Sequence, residues 1–154
     1  MKHIFILMIL MLLSTDAFSG TPAEDLIRSY EGIKGARNIE VKGSSIKLAR
    51  PILRKYPIGP MADLVTEVEA LNMGKASELD RKRFMEDLEK TLSHYRYYGK
   101  SDSPNGLADV YVHLQTETVV DELVIFNPGS VVLNVLFGNF PVADLLKLNS
   151  KPAN

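Results

Sequence analysis

The chain has 154 residues, 45% of them hydrophobic and 24% charged, with a formal net charge of −1 and no cysteine. That balance argues against a surface that tracks nucleic-acid phosphates, which needs a marked basic excess. The missing cysteines exclude disulfides, thiolate zinc sites, iron–sulfur clusters, thiol nucleophiles and a thioether-linked lipid, so an apolar core must hold the domain together.

Lys2 precedes ten apolar residues, Ile4 to Leu13, and a small-residue exit, Ala17-Phe18-Ser19, before Gly20. This pattern predicts a signal peptide over 1–19 and an exported protein, periplasmic or extracellular after cleavage. The apolar run falls well short of the roughly 20 residues that span a bilayer. Residues 20–148 then read as one domain and 149–154 as a tail.

Leu26, Ile27, Tyr30 and Ile33 recur at helical spacing, with Glu24 and Asp25 in the first turn, where the helix dipole favours acids. Residues 36–42 alternate weakly and predict a short strand. Ser44 or Ser45 is placed to cap a second helix carrying Ile46, Leu48, Ala49, Ile52 and Leu53. Pro51 lacks the N–H that this helix needs, so a bend or restart is expected there. Pro57, Gly59 and Pro60 mark the boundary between a helical part, 22–56, and a sheet-and-helix part, 62–148. Residues 63–73 are a strand candidate. The clearest helix spans 77–95, with Ser77 as cap and Phe84, Met85, Leu88, Leu92 and Tyr95 as its apolar stripe.

Residues 95–98 suit a strand, and 99–106 a polar loop. From Leu107 to Gln115 apolar Ala108, Val110, Val112 and Leu114 alternate with polar neighbours, the period-two signature of a strand. Val119 to Phe126 and Val131 to Phe137 flank Asn127-Pro128-Gly129-Ser130, a turn with Gly129 available for positive φ. Three consecutive strands predict an antiparallel meander, and residues 141–148 a closing helix with Pro in its first turn. The fold expected is α+β: a mostly antiparallel sheet of four to five strands, helices on one face, as a ferredoxin-like variant.

No Gly-x-Ser-x-Gly elbow, phosphate-binding loop or histidine pair at ligand spacing occurs, so no catalytic residue, metal or cofactor is assigned. Asp109, Tyr111 and His113 share one strand face and form the candidate binding site, with an enzyme centred on them as the alternative. Asp121 and Glu122 are adjacent on a strand and must point to opposite faces. Lys42, Lys47, Arg50, Arg54 and Lys55 form a basic segment with Ile46, Ile52 and Leu53, either a solvated helix face or a peripheral membrane surface. The expected partner is an envelope protein rather than nucleic acid.

The stretches 26–37, 98–112, 122–126 and 133–148 give the chain its family likeness: Leu-Ile-Arg-Ser-Tyr-Glu-Gly-Ile-Lys-Gly-Ala-Arg, Tyr-Gly-Lys through Asp-Val-Tyr-Val, Glu-Leu-Val-Ile-Phe, and Leu-Asn-Val-Leu-Phe-Gly-Asn-Phe-Pro-Val-Ala-Asp-Leu-Leu-Lys-Leu. Together they resemble the small secreted domains of unknown function common in Bacteroidetes. The resemblance implies an exported envelope domain with no assigned activity, and it brings no functional residue to any position here.

Overall fold

The computed structural model describes residues 20–149 apart from Pro57 and Asn105. The proposed signal peptide, 1–19, and the tail from Ser150 onward lie outside the described residues. In chain order the elements are α1 (Pro22–Tyr30), β1 (Arg37–Lys42), α2 (Ile46–Leu53), β2 (Val65–Asn72), α3 (Glu78–Leu92), β3 (Arg96–Ser103), β4 (Gly106–Leu114), β5 (Val119–Asn127), β6 (Val132–Pro141) and α4 (Val142–Asn149). Short 3₁₀ turns, Gly43–Ser45 and Gly59–Leu64, flank α2.

All six strands join one antiparallel sheet in the order β1-β2-β6-β5-β4-β3. The meander forms as expected. Strand β6 then pairs with β2, Leu71 opposite Leu133 and Val68 opposite Leu136, which joins the two halves of the chain into one core.

Strand β5 shows why. Leu123 and Ile125 face a core covered by α2, the Gly59–Leu64 turn and α4, whereas Val124 and Phe126 face a second core covered by α1 and α3. A strand covered on both faces must be apolar on both, so it reads as a continuous run instead of an alternation. Helices therefore pack on both faces of the sheet, not on one.

Three further expectations need correction. The sheet has six strands, not four to five, because the weakly alternating stretch at 37–42 pairs along its whole length with β2 as an edge strand. The polar stretch expected as a loop continues β3 to Ser103, its backbone pairing with β4 in a hairpin, Ser103 opposite Gly106. The order β-α-β-α-β-β-β-β is not the β-α-β-β-α-β of a ferredoxin-like domain. The class α+β holds.

Locally, Ser77 caps α3 by accepting the Asp80 N–H at 3.1 Å. Ser45 makes no such bond, since a 3₁₀ turn runs straight into α2. Pro51 sits in the last turn of α2, which continues past it to Leu53 without a restart. In the β5–β6 turn the positive φ falls on Val131 (54°), not on Gly129. A β-branched residue resists that conformation. It is held by tertiary contacts: the Val131 carbonyl accepts the Met73 N–H at 2.9 Å, and the side chain packs on the second core. Gly35 has φ +88°, and a Cβ there would lie 2.3 Å from the Lys75 carbonyl oxygen, so the α1–β1 turn packs against backbone that only glycine admits.

Candidate functional site

Under α2 the first core is incomplete. A cavity of about 180 Å³ lies between the helix and the β1–β2–β6–β5 part of the sheet. Its floor is Val68, Asn134, Leu136 and Ile125, and its roof is Ala49 and Leu53 with Tyr56 and Ile58 just beyond the helix. Ile39 and Ile52, each 60% exposed, line it at the surface, so the cavity opens at the edge strand β1.

The physical reason lies in the sequence of α2. Ile46 and Leu53 are buried and Ala49 half-buried between them. An alanine at the centre of the buried stripe leaves the space a longer side chain would fill. Nearly all the lining is apolar. The residues with polar side-chain atoms are Tyr56 and Asn134, and the Asn134 Nδ2 is inaccessible to solvent and has no hydrogen-bond partner. A buried N–H donor left unpaired costs about 1–3 kcal/mol, so this cavity favours an occupant that brings an acceptor.

The basic segment does not form one surface. Lys42 lies on β1, where it shares the opposite sheet face with Glu67 and pairs with Glu40 at 2.9 Å. Arg54 and Arg50 reach Asp63 at 3.2 and 4.0 Å. Lys47 and Lys55 remain on α2 and its C-terminal turn with no carboxylate partner among the described residues, beside Leu48, which is 82% exposed. Among the described residues no helix is long and apolar enough to cross a membrane.

Asp109, Tyr111 and His113 do share a face, opposite Phe126, Val124 and Glu122 of β5. Each engages a different partner. Tyr97 donates to Asp109 Oδ1 at 3.4 Å and stacks edge-on against Tyr111 at 5.2 Å. His113 Nδ1 lies 2.7 Å from Asp121 Oδ1, both side chains substantially exposed. Asp109 and Tyr111 floor an open groove of about 660 Å³ beside α3, with Met85, Glu86 and Glu89 along its helical wall. No nucleophile contacts the His113–Asp121 pair among the described residues.

Sequence reasoning missed the buried partner of that strand. Glu122 is 2% exposed and points under the N-terminus of α1. Tyr95 donates its O–H to the carboxylate, with both oxygens at 2.9 Å, and Thr21 donates to Oε2 at 2.6 Å. The Tyr95 oxygen accepts the Ala23 N–H at 3.1 Å. Burial pushes the Glu122 carboxyl above its usual range, and the bonds from Thr21 and Tyr95 pull it partly back. The signal was available: two adjacent carboxylates, Asp121 and Glu122, in a strand that is apolar on both faces beyond them. The network locks α1 to the sheet and leaves no face open to a substrate.

No protein-family model, curated protein or solved structure matches the chain.

Proposed function

We propose that this is an exported, non-enzymatic binding domain of the cell envelope, and that its ligand is an acyl chain held under α2 with its carbonyl oxygen on Asn134. The leader-like Lys2–Ser19 pattern and the resemblance to small secreted Bacteroidetes domains support export. The observation that carries the ligand class is the unpaired Asn134 donor inside an apolar cavity. A ligand site of this kind is apolar with a small number of placed polar groups.

Size sets the chain length. A cavity of about 150 Å³ takes a molecule such as benzene, so 180 Å³ suits an acyl chain of about six to eight carbons. Burying an octanoyl chain gains roughly 5 kcal/mol at about 0.8 kcal/mol per CH₂. The cost of association offsets much of this and puts dissociation near the millimolar range. Because Asn134 offers a donor, an acceptor head group is favoured over an ammonium, which has donors only.

Titration calorimetry with octanoate, its methyl ester and octylammonium tests the reading. Octanoate and the ester should bind, the ammonium more weakly. Ala49→Phe, which fills the roof, should abolish binding, and Asn134→Leu should weaken it about tenfold, the equivalent of one hydrogen bond. Undiminished binding by Ala49→Phe would overturn the assignment.

A second reading rests on half-buried Tyr111, which floors the groove beside α3, and on exposed Tyr97 stacked against it. A paired tyrosine with acidic neighbours is a suitable anchor for an envelope protein partner. Tyr111→Ala should weaken such a complex by about 1 kcal/mol or more.

A further inference from the structure

On the sheet face opposite the acyl cavity, α1 and β2 bring three carboxylates together. Glu67 and Glu69 stand two residues apart on one face of β2, and the first turn of α1 sets Glu24 above them. One oxygen from each of Glu24, Glu67 and Glu69 lies within 4.8 Å of the others. Glu69 is only 5% exposed, and its buried Oε2 has no hydrogen-bond partner. That is a separate observation from the clustering, since a buried carboxylate oxygen normally has a donor. Burial, followed by the charges of Glu24, Glu40 and Glu67, pushes the Glu69 carboxyl up to about 7.

The cations at hand, Arg28 and Lys42, offset the carboxylates only in part, and the carboxyls of Glu67 and Glu69 remain above their usual range. Arg28 approaches Glu24 at 3.9 Å and Asp25 at 4.0 Å and is itself 40% exposed. Lys42 is taken by Glu40. Glu24 Oε1 also accepts the Thr21 N–H at 3.2 Å, which fixes the side chain over β2, while Oε2 faces Arg28 at the longer distance of 3.9 Å.

We infer that Glu24, Glu67 and Glu69 form a binding site for a hard divalent cation, Ca²⁺. Three carboxylates with no imidazole or thiolate select an oxygen-seeking ion. Coordination habit favours one: Ca²⁺ accepts about six to eight oxygens at about 2.3–2.6 Å in flexible geometry, whereas Mg²⁺ demands near-octahedral order at about 2.0–2.1 Å and keeps several waters, so an all-carboxylate protein cluster suits Ca²⁺ better. The partly exposed Glu24 and Glu67 leave room for water to complete the shell.

The test is calorimetry and thermal melting of the chelator-treated chain with CaCl₂, against MgCl₂ and NaCl at matched ionic strength. Ca²⁺ should bind one per chain with a dissociation constant of about 10⁻⁴–10⁻³ M and raise the melting temperature, with a smaller effect from Mg²⁺. Glu69→Gln should weaken Ca²⁺ at least tenfold; because it removes a buried charge it should fold at least as stably as the wild type without calcium. Glu89→Gln, on exposed α3, should bind as the wild type does. The inference is overturned if no heat appears up to 5 mM Ca²⁺, if Mg²⁺ and NaCl match the calcium shift, or if Glu69→Gln binds Ca²⁺ undiminished.

Discussion

Replacing Tyr95 with phenylalanine keeps the ring in the second core and removes only its hydroxyl. Two interactions go with it: the O–H bond to the Glu122 carboxylate and the acceptor for the Ala23 N–H. A hydrogen bond to a charged group is worth about 1.5–3 kcal/mol, and an orphaned buried donor costs about 1–3 kcal/mol. Partial relaxation brings the expected loss to about 3 kcal/mol, or a fall of roughly 10 °C in Tm for a domain of this size.

The sign of the pH dependence follows from Glu122. Its folded pKa lies above the unfolded value, so its contribution is fully present below about pH 4.3 and is lost as pH rises through the folded pKa. Tyr95→Phe removes a donor to the ionised form, so its cost should be greater at pH 8 than at pH 4. Glu122→Gln should lessen the fall in stability between those limits without abolishing it, because Glu69, raised to about 7, titrates in the same range, and the double substitution should cost less than the two singles combined. Urea titrations of the four proteins at both pH values decide it. A Tyr95→Phe loss under 0.5 kcal/mol, equal at both pH values, would refute the account of how α1 is held.

On α3, Leu88 is 2% exposed and Glu89 faces solvent, so Leu88→Ala should cost about 2–5 kcal/mol and Glu89→Ala stay within roughly 0.5 kcal/mol in chemical denaturation. Gly35→Ala should destabilise by more than about 1 kcal/mol, measured the same way, because the added Cβ meets the Lys75 carbonyl in a positive-φ turn. Co-sedimentation with anionic vesicles should be weak and salt-sensitive, as only Lys47 and Lys55 of the basic segment lack acidic partners; strong binding that survives high salt would contradict this.

The strands and helices whose signals are local were legible in the sequence. The period-two alternation of β4, the continuous apolar run of β5 and the Ser77-capped α3 all stand close to where their patterns put them. What the sequence hid depends on pairing between distant segments. Polar residues 99–103 become strand because β4 offers a ladder, not because they favour one. The return of β6 to β2 decides which faces are covered, and no local pattern announces it. The candidate sites follow the same division. Asp109, Tyr111 and His113 share a face as their spacing required, but their partners Tyr97 and Asp121 come from neighbouring strands. The cavity under α2 and the Glu24–Glu67–Glu69 cluster need an element from each side of a long sequence gap. Asn134 looks in sequence like one polar residue in an apolar strand. Only the packed helix above it makes its unpaired donor visible.

The most direct test of the binding proposal is to locate the ligand by NMR, using methyl-labelled protein and octanoate. Intermolecular NOEs should join the chain protons to the methyls of Ile125 and Leu136, and the Asn134 side-chain amide resonance should shift as its donor gains an acceptor. NOEs confined to exposed Leu48, or to Leu88 and Tyr111 on the opposite face, with Asn134 unmoved, would contradict an acyl site beneath α2.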